Sequence, residues 1–168
     1  QALVLGPGGA GMDLGLCPVP VVLDAAAVER RARTVHPAGA ILTPHAGELA
    51  ALLGIERAEV EANPAAAAVR AAMECRAVVM LKGAVTVVAV PDGGPLLTID
   101  AGTAWLATAG TGDVLAGITG ALVASRQARA EEEGRTLGLR ELGEIAASAA
   151  WLHGEASREI DGPLRASD

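Results

Sequence analysis

Apolar positions fall along this chain in short continuous runs bounded by turn residues, and these runs alternate with stretches of helical spacing. Ala2-Leu3-Val4-Leu5 reads as a buried strand that leads directly into Gly6-Pro7-Gly8-Gly9-Ala10-Gly11. The pattern predicts a second strand over 20–24 and a helix over 25–33. A third, short strand over 40–42 passes through Thr43-Pro44-His45-Ala46-Gly47-Glu48 into a helix that ends at Leu53, where Gly54 closes it. Residues 56–63 are polar and acidic and read as a solvated connection, after which Pro64 suits the first position of a helix over 65–74. Apolar, β-rich runs at 77–81, 85–90 and 96–99, separated by Lys82-Gly83 and by the turn Pro91-Asp92-Gly93-Gly94, predict three more strands. Gly110-Thr111-Gly112-Asp113 then meets an apolar period of Val114, Leu115, Ile118, Ala121 and Leu122, so a glycine turn opens a helix. The charges over 126–135 are of mixed sign and read as a mobile, solvated connection. A last helix over 139–160 carries Leu142, Ile145, Ala149, Leu152 and Ala156 on one face, with Trp151 and His153 off that stripe. Strands alternating with helices predict an α/β layered fold with its chemistry at the carboxyl ends of the strands.

Composition narrows the class. With 168 residues, 51% of them hydrophobic, the chain can bury one good core and is expected to form a single domain over 1–168. There is no Phe or Tyr, and the only aromatic carbocycles are Trp105 and Trp151, so base stacking has little to work with. The formal charge of −7 also argues against nucleic acid as a partner. A mean hydropathy of +0.39 raises the question of a membrane. However, Asp13, Asp24, Lys82, Asp100 and Asp113 cut the apolar runs below spanning length. No basic segment precedes Ala2 in the manner of a signal peptide. Cys17 and Cys75 are too few for a disulfide scaffold and read as reduced thiols of a cytoplasmic protein. The three histidines do not cluster with cysteines, so no transition-metal site is expected.

Three stretches carry candidate chemistry. A glycine turn at a helix start leaves backbone N–H groups unpartnered at the positive end of the helix dipole, which suits a phosphate. Asp113 beside such a site is placed to accept a proton from a hydroxyl that attacks the phosphoryl group. The competing reading makes Gly112-Asp113 an ordinary N-cap. Gly6-Pro7-Gly8-Gly9-Ala10-Gly11 has the spacing of a dinucleotide fingerprint, with Asp24 near the place of a ribose-binding acid. A crossover of at least ~10–12 residues including its helix is needed there. Gly15, Pro18 and Pro20 interrupt the available segment, so it reads as a glycine turn at a ligand crevice. Asp24 is then either a ligand group at a strand end or the cap of the next helix. His45, at a strand-to-helix junction with Glu48 in the first turn, is either a loop hydrogen-bonder or a ligand contact. Lys82 is the one lysine among 13 basic residues, and its place between a buried strand and a glycine favours a ligand role. No Walker A motif accompanies it.

Taken in order, Gly6-Pro7-Gly8, Val22-Leu23-Asp24-Ala25, Thr43-Pro44-His45-Ala46-Gly47-Glu48, Leu81-Lys82-Gly83 with Thr86, and Gly110-Thr111-Gly112-Asp113-Val114-Leu115-Ala116-Gly117 resemble the ribokinase-like NAD(P)H-hydrate dehydratase family. The resemblance covers nearly the whole chain. It implies a ribokinase-like layered α/β sheet with helices on both faces. The chain would then be the C-terminal portion of the usual family domain, with the N-terminal part missing. The implied activity is repair of hydrated NADH and NADPH: ADP or ATP, with Mg²⁺, phosphorylates the ring hydroxyl, and elimination of phosphate restores the reduced nicotinamide. By position, Lys82, Gly83, Ala84, Val85 and Thr86, together with Gly110, Thr111 and Gly112, would bind the nucleotide. Gly8, Asp24, His45 and Asp113 would bind the hydrated dinucleotide, with Asp113 as the catalytic base. The implied protein is a cytoplasmic homo-oligomer, a tetramer among its forms, with small-molecule substrates and no metal site built from its own side chains. The chain departs from the family where Asp24-Ala25-Ala26-Ala27-Val28 replaces Asp-Ala-Asp-Ala-Leu, where Thr103 replaces an asparagine, and where Ala109 replaces a glycine. A vitamin or sugar kinase of the same superfamily and a non-catalytic nucleotide-binding module are the alternatives.

Overall fold

The computed structural model describes residues 1–6, 17–34 and 36–159. Among them, strands β1 (Leu3–Leu5), β2 (Val21–Leu23), β3 (Ala40–Leu42), β4 (Val78–Leu81), β5 (Thr86–Ala89) and β6 (Leu97–Ile99) form one sheet in chain order. β1 to β4 are parallel, whereas β4–β5 and β5–β6 pair antiparallel. The register sets Leu23 beside Leu5 and Leu42, and Leu42 beside Val79.

Helices cover both faces, which is why the middle strands read as unbroken apolar runs. Leu5, Leu23, Leu42 and Leu81 point to the side of α1 (Ala26–Arg31), α2 (Ala46–Leu53), α3 (Arg57–Ala62) and α4 (Pro64–Cys75). Val22, Ile41, Met80 and Val88 point to α5 (Thr111–Glu132) and α6 (Leu139–Arg158). Each fully buried Val or Leu contributes roughly 1.5–3 kcal/mol of apolar burial. The layered α/β expectation is met. No helix among the described residues is long and apolar enough to cross a membrane.

Two expected connections are helices instead. Residues 57–62 form α3: Glu59 Oε1 accepts from the Glu56 amide at 3.0 Å, Arg57 pairs with Glu61 at 2.7 Å one turn on, and Val60 is fully buried. One apolar anchor and a polar start suffice for a single-turn helix that periodicity cannot show. Residues 126–132 continue α5, because Val123, Gln127 and Ala130 recur at helical spacing and are buried, and the charges simply occupy the outer face. Elsewhere local chemistry agrees with the ends. Asn63 Oδ1 accepts from the Ala66 amide at 3.2 Å with Pro64 in the first turn of α4, and Gly54 closes α2 at φ 65°.

The parallel order places the carboxyl ends of β1 to β4 along one edge, so Gly6, Asp24, Thr43 and Lys82 are neighbours there. Because β5 runs the other way, its first residue, Thr86, lies on the same edge. α5 starts and α6 ends on this side.

Candidate functional site

The sheet edge is built around Asp24. The chain leaves β2 through Ala25 at φ 49° and ψ −131°, a conformation that strains any residue with a side chain, and α1 begins with no side-chain cap. Asp24 is therefore not the cap. Its Oδ1 accepts from Thr43 Oγ1 at 2.6 Å and from Lys82 Nζ at 2.7 Å. Asp24 is 3% exposed and Thr43 0%. Removing one partner from a buried ion pair leaves an uncompensated charge and costs roughly 3–5 kcal/mol.

His45 is the N-cap of α2. Its Nδ1 accepts from the Gly47 and Glu48 amides at 3.0 and 3.2 Å, while Glu48 Oε2 accepts from the His45 amide at 2.8 Å. Accepting at Nδ1 puts the proton of the neutral ring on Nε2. Nε2 lies 3.6 Å from Glu48 Oε1 on an exposed ring, so it is open to a ligand. The same stretch is tied to β4: the Lys82 amide donates to the Pro44 carbonyl at 2.8 Å, and His45 and Lys82 form a parallel bridge.

After Lys82 the chain bends through Gly83, Ala84 and Val85, all exposed, and re-enters the sheet at half-buried Thr86. Facing this bend is the first turn of α5. Its N-cap is Gly110 at φ 90°, so Gly112 and Asp113 sit inside the helix. Thr111 is buried, with its hydroxyl 2.6 Å from the Leu106 carbonyl and 2.8 Å from that of Thr108, and so anchors the turn through its side chain. Among the described residues the amides of Gly112 and Asp113 have no backbone partner. A Cβ on Gly112 would stand 3.3 Å from Lys82 Nζ, which places the ammonium against this turn. Asp113 is exposed, and its carboxylate has no hydrogen-bond or ion-pair partner among the described residues. The N-cap reading of Asp113 is overturned by the left-handed Gly110.

The segment that delivers this turn is fastened to the end of α6. The Thr103 amide donates to Ser157 Oγ at 3.2 Å, Ser157 Oγ donates to the Gly154 carbonyl at 2.6 Å, and Arg158 reaches the Asp100 carbonyl at 3.3 Å.

Of the residues singled out in the sequence, the structure brings Asp24, Lys82 and Gly112 into one contiguous group, with His45 adjoining through Lys82 and Asp113 through Gly112. Gly8 lies outside the described residues. Thr43 and Ser157 were not foreseen; the signal for Thr43 was its place in Thr-Pro-His, and none marked Ser157. A groove of about 700 Å³ lies elsewhere, between β6 and α6, lined by Leu96, Ile99, Trp151 and Leu152 among others. It holds none of these groups. What the edge offers chemically is two amides without backbone partners among the described residues and one ammonium for an anion, beside a carboxylate likewise unpaired among them and able to take a proton.

A family model described as NAD(P)H-hydrate dehydratase matches residues 14–163. The ADP-dependent (S)-NAD(P)H-hydrate dehydratase of Xanthomonas campestris pv. campestris is 43% identical over 129 residues, covering 70% of this chain and 44% of that protein. The enzyme of the same name from Neisseria meningitidis serogroup B is 40% identical over 148 residues, covering 84% and 45%. The crystal structure of ADP/ATP-dependent NAD(P)H-hydrate dehydratase from Bacillus subtilis, co-crystallized with ATP/Mg²⁺, superposes with a TM-score of 0.70 at 30% identity, over 88% of this chain and 50% of that one. The chain thus spans about half the length of these relatives, or a little less.

Proposed function

The chain belongs to the NAD(P)H-hydrate dehydratase family, and on that premise we propose that it takes part in the nucleotide-dependent dehydration of hydrated NADH and NADPH, with ADP or ATP as phosphoryl donor. The observation that carries the reading is the first turn of α5, where the Gly112 and Asp113 amides and the Asp113 carboxylate, all without partners among the described residues, adjoin the Lys82 ammonium at the end of β4. Gly110 and Gly112 have no Cβ to hold a phosphate away from the backbone, so the turn fits a nucleotide phosphate chain. The bend over 82–86 runs alongside and lines the nucleotide, its exposed backbone at Gly83, Ala84 and Val85 being free to bond it. Gly8, His45 and Asp113 hold the hydrated dinucleotide, His45 by its Nε2–H.

In this reaction the ring hydroxyl gives its proton to Asp113 as its oxygen bonds to the terminal phosphorus, and the bond from phosphorus to the nucleotide breaks with its electron pair. The amides of Gly112 and Asp113 and the Lys82 ammonium face the charge that builds on the transferring group. Bound Mg²⁺ supplies further neutralisation of the phosphates. Elimination then breaks the ring carbon–oxygen bond, its electron pair leaving with phosphate, and loss of a proton from the neighbouring ring carbon to solvent restores the double bond. A single domain, a cytoplasmic setting and assembly as a homo-oligomer belong to the same reading.

The test is an absorbance assay with hydrated NADH and either ADP or ATP. The reading expects recovery of the reduced nicotinamide spectrum and release of phosphate. Asp113→Asn is expected to lower kcat by roughly 10²–10⁴-fold, with an unchanged melting temperature because Gly110, not Asp113, caps the helix. A stable phosphorylated product on a vitamin or sugar substrate, or nucleotide binding without turnover, would replace this reading with one of the two alternatives.

A further inference from the structure

We infer that Asp24 and Thr43 are positioning residues, which hold the Lys82 ammonium at the first turn of α5 so that it meets the phosphates of the bound nucleotide. The inference rests on the nucleotide-dependent reading above and assigns a role within that site.

The three side chains come from the ends of adjacent parallel strands, β2, β3 and β4, and both hydrogen bonds fall on one oxygen, Asp24 Oδ1. Asp24 and Thr43 are too deeply buried to offer a ligand much surface, whereas the Lys82 side chain keeps 20% of its own. The work of the inner two is therefore done on the third. A lysine stem is long and flexible, and an ammonium left at a strand end would spread over many rotamers. Here one of its three N–H donors is taken by Asp24, and its nitrogen lies 3.3 Å from where a Cβ on Gly112 would stand. The ammonium, with two donors left, thus lies beside the turn whose Gly112 and Asp113 amides have no backbone partner among the described residues. Thr43, by donating to the same carboxylate oxygen, fixes the carboxylate that fixes the lysine. A Cβ at Gly112 would crowd the ammonium, at 3.3 Å, as well as a phosphate approaching the turn.

A purely architectural ion pair predicts that substitutions change stability alone. A positioning role predicts that Thr43 acts on nucleotide affinity only through Lys82. The experiment is calorimetric titration of the full chain with ADP in the presence of Mg²⁺, for wild type, Thr43→Val, Thr43→Ser, Lys82→Met and the double variant Thr43→Val/Lys82→Met. Lys82→Met is expected to weaken ADP binding roughly 10- to 100-fold, the range of one charge-assisted hydrogen bond. Thr43→Val is expected to weaken it roughly three- to tenfold, Thr43→Ser to restore it, and the double variant to bind no worse than Lys82→Met alone. Independent, additive losses, or a Thr43→Val protein that binds ADP as wild type does, would overturn the inference and leave the proposed function standing. A wild-type chain that binds neither ADP nor ATP would instead remove the proposed function itself. Should Thr43→Val fail to fold, Asp24→Asn, which keeps volume and removes charge, takes its place in the same cycle with the same non-additivity expected.

Discussion

Gly154 decides how closely α6 approaches the segment that carries the phosphate turn, and its replacement by alanine can be worked out from the structure. A Cβ there would lie 2.6 Å from Ala101 Cβ, 2.7 Å from the Ala101 carbonyl carbon and 2.8 Å from the Gly102 nitrogen. Ordinary contact begins at 3.4 Å, so the nearest atom is too close by 3.4 − 2.6 = 0.8 Å. Two of the three atoms are backbone and cannot rotate away. The helix or the segment must shift, and overpacking of this kind costs roughly 1–3 kcal/mol. Alanine is also the better helix former, by about 1 kcal/mol, so Gly154→Ala is expected to be net destabilising by up to about 2 kcal/mol. For a chain of this size each 1 kcal/mol lowers the melting temperature by roughly 2–4 °C. Gly117, in α5, supplies the control, because a Cβ there meets nothing within 4 Å among the described residues. Gly117→Ala keeps only the propensity gain and is expected to stabilise by up to about 1 kcal/mol. The same chemical change thus takes opposite signs, and the difference between the two variants isolates the steric part. Urea unfolding with an unchanged m value is the assay. If both variants gained stability equally, the close approach at Ala101 would not be a constraint and the reasoning would fail.

Two further outcomes follow from other parts of the chain. Ala25→Gly should relieve roughly 1–3 kcal/mol of backbone strain against roughly 0.5–1 kcal/mol of added chain entropy, raising the melting temperature; a fall would show that Ala25 is not strained. Burial holds the His153 imidazole below its ordinary range. With the folded value depressed, stability is full above about pH 6.5 and is lost as pH falls through the lower folded value. His153→Gln should flatten the decline of the melting temperature across that window, and an unchanged slope would clear His153 of the effect.

The layers were legible because the strands are sheathed on both sides, which leaves Val21, Val22 and Leu23 or Val78 to Leu81 without a polar position. The glycine turn at Gly110, the Gly54 end of α2 and the Pro64 start of α4 were legible for local reasons: each is written within four residues. α3 was not, since only Val60 of its six residues is buried and the rest resembles a loop. The far end of α5 was hidden by charges on its outer face, although Val123 and Ala130 kept the period. The contact of Lys82 with Asp24 joins residues 58 apart, and that of Thr43 with Asp24 residues 19 apart. Nothing local encodes such a pairing; it exists because three parallel strands end side by side. For the same reason Lys82 could be singled out as unusual in the sequence while its partner could not be named.

The sheet edge opposite the site has a different character. There α5 gives way to α6 through 133–138, and the segment after β5 meets the start of α6 through the packing of buried Val90 near Gly143 and Leu142 and through the exposed pair Arg140–Asp92 at 2.9 Å. Since the residues of the site gather at the other pole, this end can vary in length without moving them. Doubling a surface loop costs only about 0.6 kcal/mol in closure entropy. The molecule is therefore polarised as a material for engineering: a tag, a label or an inserted domain belongs at Gly134, whose φ of 72° already marks a break in the helix, and nowhere between Asp100 and Asp113.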